Sequence, residues 1–252
     1  MQLTFLGTGG AQQVPVFGCS CLACQRARQD NRYARGPCSA LLQSGDETIL
    51  IDAGQCHLEQ RFTPGELSRI VLTHYHMDHV QGLFPLRWGM GEPIPVFGPP
   101  DSQGCDDLFK HPGILDFQVP FTPFEPVHWP GMTVTPVPLQ HSKITFGYVF
   151  RKHGTSSNTL AWLCDTCGLP PETLAFLQSV PLGNLVLDCS HPPGGTPPRN
   201  HNDITQALAI HHALQPQHTW LTHISHGLDN WLQENRLPES VSPAWDGMTL
   251  AL

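Results

Sequence analysis

The sequence has 252 residues, with 13 Lys+Arg against 21 Asp+Glu and a formal net charge of -8 when its 15 His are neutral. So few cations exclude the broad basic stripe that grips a phosphate backbone, so nucleic acid is not an expected partner. A small anion held by divalent cations stays compatible with an acidic chain, because bound ions invert the local potential. No run approaches the ~18 apolar residues of a membrane span, and the first residues lack the basic start of an export signal, so a cytoplasmic protein without membrane contact is expected.

Charged residues make up 13% and Pro numbers 25, about half and twice the ordinary shares of about 25% and about 5%. Stiff loops should therefore be many. In chain order, short apolar runs predict strands at Leu3 to Leu6, Ala40 to Gln43, Thr48 to Ile51, Arg69 to Leu72, Pro95 to Phe97, Met132 to Val137, Phe146 to Phe150, Thr159 to Leu163, Asn184 to Leu187 and Thr219 to Leu221. Helical patterns fall at Cys24 to Asp30, His79 to Trp88, Pro170 to Ser179, Asp203 to Leu214 and Asp229 to Asn235. Runs of strands with interspersed helices predict two mixed sheets flanked by helices, an α/β chain of layered αββα form. Neither a repeat nor a dividing linker interrupts it, so residues 1–252 read as a single domain, with Pro192 to Pro198 as one loop near a site.

The densest chemistry stands in Leu72-Thr73-His74-Tyr75-His76-Met77-Asp78-His79. Three imidazoles and a carboxylate within six residues of a strand end suit zinc, manganese or iron, and the mixed N/O set does not choose among them. Four groups so close cannot all point at one ion, which predicts two metals a few Å apart. Further ligand candidates stand at strand ends: His141, Asp165 and His223. Nine Cys is an odd number, and Cys19, Cys21 and Cys24 crowd too closely for a relaxed disulfide framework. Three thiolates need one more ligand for a closed zinc shell, and on the sequence alone Cys38 or several His could supply it. Cys164 and Cys167 flank Asp165, but no redox-type βαβ context surrounds them, and packed cysteines are expected.

The run His74-x-His76-x-Asp78-His79 with downstream His141, Asp165 and His223 resembles the metallo-β-lactamase superfamily, whose fold is this αββα sandwich. The resemblance implies that His74, His76 and His141 hold one metal, that Asp78, His79 and His223 hold the other, and that Asp165 bridges them. It also implies that Asp52 orients ligand imidazoles by hydrogen bonding; a buried Asp capping a turn is the plainer reading. Glyoxalase-type thioesterases share the His-rich run. Taken with the Cys cluster, Gly98-Pro99-Pro100, His141-Ser142-Lys143, Asp188-Cys189-Ser190-His191, Arg199-Asn200-His201 and Thr222-His223-Ile224-Ser225-His226, the chain is similar to the PhnP family of the carbon-phosphorus lyase pathway.

That similarity implies His226 as the fourth ligand of a structural zinc with Cys19, Cys21 and Cys24. It further implies two catalytic ions, manganese or alternatively zinc, a homodimer, and hydrolysis of 5-phosphoribosyl 1,2-cyclic phosphate to ribose 1,5-bisphosphate. His201, in a polar segment, is the candidate general acid, against a surface His that caps the next helix. Lys143 and Arg199 are candidate contacts for the 5-phosphate. Competing expectations are a general 2',3'-cyclic nucleotide or tRNA-processing phosphodiesterase, and a noncatalytic zinc protein like the pyrroloquinoline quinone biosynthesis B protein.

Overall fold

A computed structural model describes residues 1–154, 159–194 and 199–252; part of the expected loop Pro192 to Pro198 thus lies outside the described residues. The first half of the chain gives β1 (Gln2–Gly7), α1 (Leu22–Gln29), β2 (Ser39–Ser44), β3 (Glu47–Ile51), α2 (Leu58–Arg61), β4 (Arg69–Val71), α3 (Met77–Val80), α4 (Leu83–Leu86), β5 (Ile94–Phe97), α5 (Asp106–Lys110) and β6 (Leu115–Phe117). The second gives β7 (Val127–Trp129), β8 (Met132–Pro138), β9 (Phe146–Lys152), β10 (Thr159–Leu163), α6 (Pro171–Gln178), β11 (Asn184–Asp188), α7 (Ile204–Leu214), β12 (His218–Thr222), α8 (His226–Glu234), β13 (Val241–Pro243) and β14 (Thr249–Ala251). Among the described residues no helix is long and apolar enough to cross a membrane.

Two seven-stranded sheets result, ordered β14-β1-β2-β3-β4-β5-β6 and β13-β12-β11-β10-β9-β8-β7. Each is antiparallel through one half and parallel from its central strand onward: β3 to β6 in the first, β10 to β13 in the second. The two-residue side-chain period of a strand decides which core each residue joins. In β3, Ile49 and Ile51 enter the core between the sheets, while Leu50 turns outward to Leu58, Val80 and Leu83 of the helices. In β10, Trp162 enters the inter-sheet core beside Phe5, and Leu163 packs outward with Leu177 and Ile204. Three apolar layers between four structural layers make the αββα sandwich that the sequence predicts.

Two helix expectations need correction. The pattern at His79 to Trp88 forms two short helices, α3 and α4, because the Gly82 N–H donates to the Ala53 carbonyl at 2.8 Å instead of continuing the helical ladder. The helix expected from Asp229 starts at His226, with Ser225 capping it by accepting the Leu228 N–H.

Candidate metal centre

One rim of the sandwich collects the ends of five strands. The loop after β4 carries His74 and His76, and α3 adds Asp78 and His79; β8 leads to His141, β10 to Asp165, β11 ends on Asp188 and β12 leads to His223. At Asp52, Asp165 and His223 the backbone turns through φ of 55°, 62° and 59°. Such left-handed values are uncommon for non-glycine residues and concentrate where a site over-determines the backbone.

Asp165 divides two ligand sets between its carboxylate oxygens. Its Oδ2 lies 3.6 Å from His74 Nε2 and 3.5 Å from His141 Nε2, and His76 Nδ1 stands 2.8 Å and 3.1 Å from those same nitrogens. Its Oδ1 lies 3.5 Å from His79 Nε2 and 3.4 Å from His223 Nε2, with Asp78 Oδ2 at 3.6 Å and 3.8 Å from the two. Ligand atoms about 2.1 Å from a tetrahedral ion stand about 3.4 Å apart, so both sets have the spacing of a coordination shell. The Nε2 atoms of His79 and His223 are buried without a hydrogen-bond partner, a costly state that a cation relieves. The residues fit two ions, and the structure brings the seven expected ligands together.

The groups behind the ligands fix their tautomers. Asp52, fully buried, accepts from His79 Nδ1 at 3.0 Å and from the Thr73 backbone N–H and hydroxyl at 2.8 Å and 2.9 Å. The same hydroxyl accepts from His74 Nδ1 at 3.0 Å. Ser190 Oγ accepts from His223 Nδ1 at 2.8 Å, and the Asn200 carbonyl from His141 Nδ1 at 3.1 Å.

The local field is set by carboxylates among imidazoles. Burial alone would raise Asp165, but the His223, His79 and His74 rings bring it well below the usual carboxylate range. Burial likewise opposes charge on His223, yet Asp165 and Asp78 push its pKa up to about 10. His74 is held well below its ordinary value by burial and by the neighbouring His79. His79 and His223, raised by the carboxylates, would give up protons to a cation held here, whereas burial keeps His74 in its neutral form.

His201 lies beside this pair. Its ring stacks on His223 at 4.4 Å between centroids and 16° between planes, and its Nδ1 donates to Asp188 Oδ2 at 2.8 Å. Asp188 is fully buried and also accepts from the Thr166 N–H at 2.9 Å. The following helix is capped by Asp203 instead, whose side chain accepts the Gln206 N–H, so the helix-capping reading of His201 fails. Asp188, Ser190 and Thr73 carry no role in the sequence reading. Only the strand-end position of Asp188 could have flagged it.

A cleft of about 430 Å³ opens over the pair, walled by Gln12, Gln13, Met77, His191, Asn200 and His201 among others. Neither cation expected at the substrate is among the described residues lining it. Lys143 is drawn off to Asp101, 3.4 Å away, because that carboxylate is already fixed by the Gln103 and Gly104 N–H groups. Arg199 is exposed next to Asn200 of the wall.

A second cluster joins Cys19, Cys21, Cys24 and His226, their ligand atoms all within 4.8 Å of one another. His226 Nδ1 is 3.4 Å from both Cys19 and Cys21 sulfurs. Cys21 falls to about 6 against its burial through hydrogen bonds from the Cys24 N–H, Asn230 and His226, whereas burial pushes Cys24 up to about 11. Three sulfurs and one imidazole fit a structural zinc. Cys38, the other fourth-ligand candidate, is instead fully buried in the inter-sheet core.

The fold and paired ligand sets define a metallo-hydrolase centre, and comparison with known proteins gives the family. The family model described as "Beta-lactamase superfamily domain" matches residues 47–224, and the chain belongs to that superfamily. It is similar to a ribonuclease Z of Methanosarcina acetivorans, 25% identical over 69% of this chain and 56% of that protein. The chain spans about half the length of such curated relatives. Among solved structures, a diphosphatase from the PhnP family aligns with 99% of this chain and 96% of its own at 26% identity, with a TM-score of 0.80. Zinc-bound PqqB of Methylobacterium extorquens shares the fold at 19% identity over the whole of both chains, with a TM-score of 0.78.

Proposed function

We propose that this chain is a two-metal phosphodiesterase that hydrolyses 5-phosphoribosyl 1,2-cyclic phosphate to ribose 1,5-bisphosphate in phosphonate catabolism. The observation that carries the reading is the placement of Asp165, one oxygen in each imidazole set, beside a His201 backed by a buried carboxylate. Two divalent ions, manganese or zinc, supply when bound an activated water and positive charge against the nonbridging oxygens. His74, His76 and His141 would hold one ion and Asp78, His79 and His223 the other, with one oxygen of Asp165 facing each set. Asp188 holds the His201 Nδ1 proton, so Nε2 is the nitrogen that delivers a proton to the departing ribose oxygen as the P–O bond breaks.

The small cleft and the scarcity of cations favour a small diester over a structured RNA. Gln12, Gln13 and Asn200 provide neutral donors, and Arg199, next to Asn200, is the cation we assign to the 5-phosphate. A homodimer in the cytoplasm completes the reading, and sedimentation of the metal-loaded protein tests the dimer.

A second reading, hydrolysis of a diphosphate, is favoured by the near full-length likeness to a PhnP-family diphosphatase. The test is turnover by manganese-loaded protein of the ribosyl cyclic phosphate, a 2',3'-cyclic nucleotide, a nucleoside diphosphate and a precursor tRNA, compared by kcat/KM. Preference for the ribosyl diester supports the proposal; preference for the anhydride replaces it with the second reading. Two bound ions without any turnover point to a noncatalytic relative.

A further inference from the structure

Three strand ends bring a chain of sulfur and oxygen to the floor of the metal pair. Cys38 precedes β2, Cys164 follows β10 and Thr222 ends β12, and all three are fully buried. Cys164 Sγ lies 3.1 Å from Asp165 Oδ1 and 3.1 Å from Cys38 Sγ, and Cys38 Sγ lies 3.4 Å from Thr222 Oγ1.

Cys164 has a single S–H and two acceptors within reach. A carboxylate is a far stronger acceptor than a thiol sulfur, so the hydrogen goes to Asp165. Cys38 Sγ and Thr222 Oγ1 stand behind the Cys164 sulfur in the same dry core. The Cys164 hydrogen bond thus reaches one oxygen of the bridging carboxylate in a dry core, where such a bond is strong.

We propose that Cys164, backed by Cys38 and Thr222, is a positioning residue that fixes Asp165 Oδ1 toward Asp78, His79 and His223 and so sets the affinity of that half of the pair. Oδ2, on the His74, His76 and His141 side, receives no such donor among the described contacts. Loss of the thiol therefore affects the two halves unequally. The inference rests on the two-metal reading of the site but not on the identity of the substrate.

The experiment titrates protein, with its catalytic ions removed by dialysis, with Mn²⁺ and follows free ion and the spin-coupled pair signal by electron paramagnetic resonance. Wild type and Cys164→Ser, which keeps a donor at this position, should bind two ions alike. Cys164→Ala and Cys164→Val should keep the first affinity and weaken the second about 10- to 100-fold, the usual range for outer ligands of a metal site. Cys38→Ala, one link further away, should weaken the second ion less.

Melting temperatures of the zinc-retaining proteins separate misfolding from lost orientation, and the Val variant controls for the cavity that Ala leaves. Equal binding by Ala, Val and wild type overturns the proposal, as does equal weakening of both ions. A wild type that binds the coupled pair but hydrolyses none of the phosphate substrates would sink the assigned function and leave this inference standing.

Discussion

At the residue scale the groups proposed to hold metal stand apart from the group proposed to move a proton, and substitution should tell them apart. Asp165→Ala removes both shared oxygens, so diester hydrolysis should vanish and catalytic metal content fall; metal analysis with normal turnover would refute the bridge. His201→Ala leaves both ligand sets intact, and should lose about 10²- to 10⁴-fold in kcat on the ribosyl diester with two ions still bound. On a p-nitrophenyl diester, whose leaving group needs little protonation, most of that loss should disappear. Asp188→Asn keeps the ring in place but weakens its proton hold, and should fall between the two. A His201 variant equally impaired on both substrates would remove the general-acid role.

Elements explain which parts of this arrangement are legible in sequence. The central strands β3, β10 and β11 are nearly continuous apolar runs because both faces are buried, and ligands are conspicuous because each follows such a run. The edge strands β6, β7, β13 and β14 have three residues each, too few to show a period, and none was foreseen. Asp188, Ser190 and Thr73 were equally illegible as functional groups, since their partners come from distant strand ends brought together only by the fold. The Cys19, Cys21, Cys24 and His226 cluster was legible on its Cys side through local spacing, whereas His226 depends on α8 meeting α1, where the Ala23 N–H donates to Asn230 at 2.8 Å.

That junction makes a prediction at its own scale. Cys21→Ser should release one zinc and lower the melting temperature, because structural metal binding is folding energy. In metal-stripped protein, a Cys21 thiol lowered to about 6 from its ordinary value of 9.0 contributes stability that is complete above pH 9 and lost as pH falls through about 6. Cys24, pushed up to about 11, titrates outside that window. The difference in melting temperature between wild type and Cys21→Ser, both zinc-free, should therefore shrink from pH 9 to pH 6; a constant difference would contradict it.

For the whole molecule, stability and chemistry occupy different depths of the same sandwich. Trp162, fully buried between the sheets beside Phe5, should cost about 3–5 kcal/mol when cut to Ala. Denaturant unfolding measures that loss, and surviving folded protein should keep both catalytic ions. Because the ligand-bearing strands run toward one rim, turns such as Gly45 to Asp46 and Pro130 to Gly131 lie at the opposite rim. Those turns are the natural ports of this molecule: a reporter, affinity handle or surface tether spliced there would hang from the end farthest from the chemistry, leaving the cleft open to solvent.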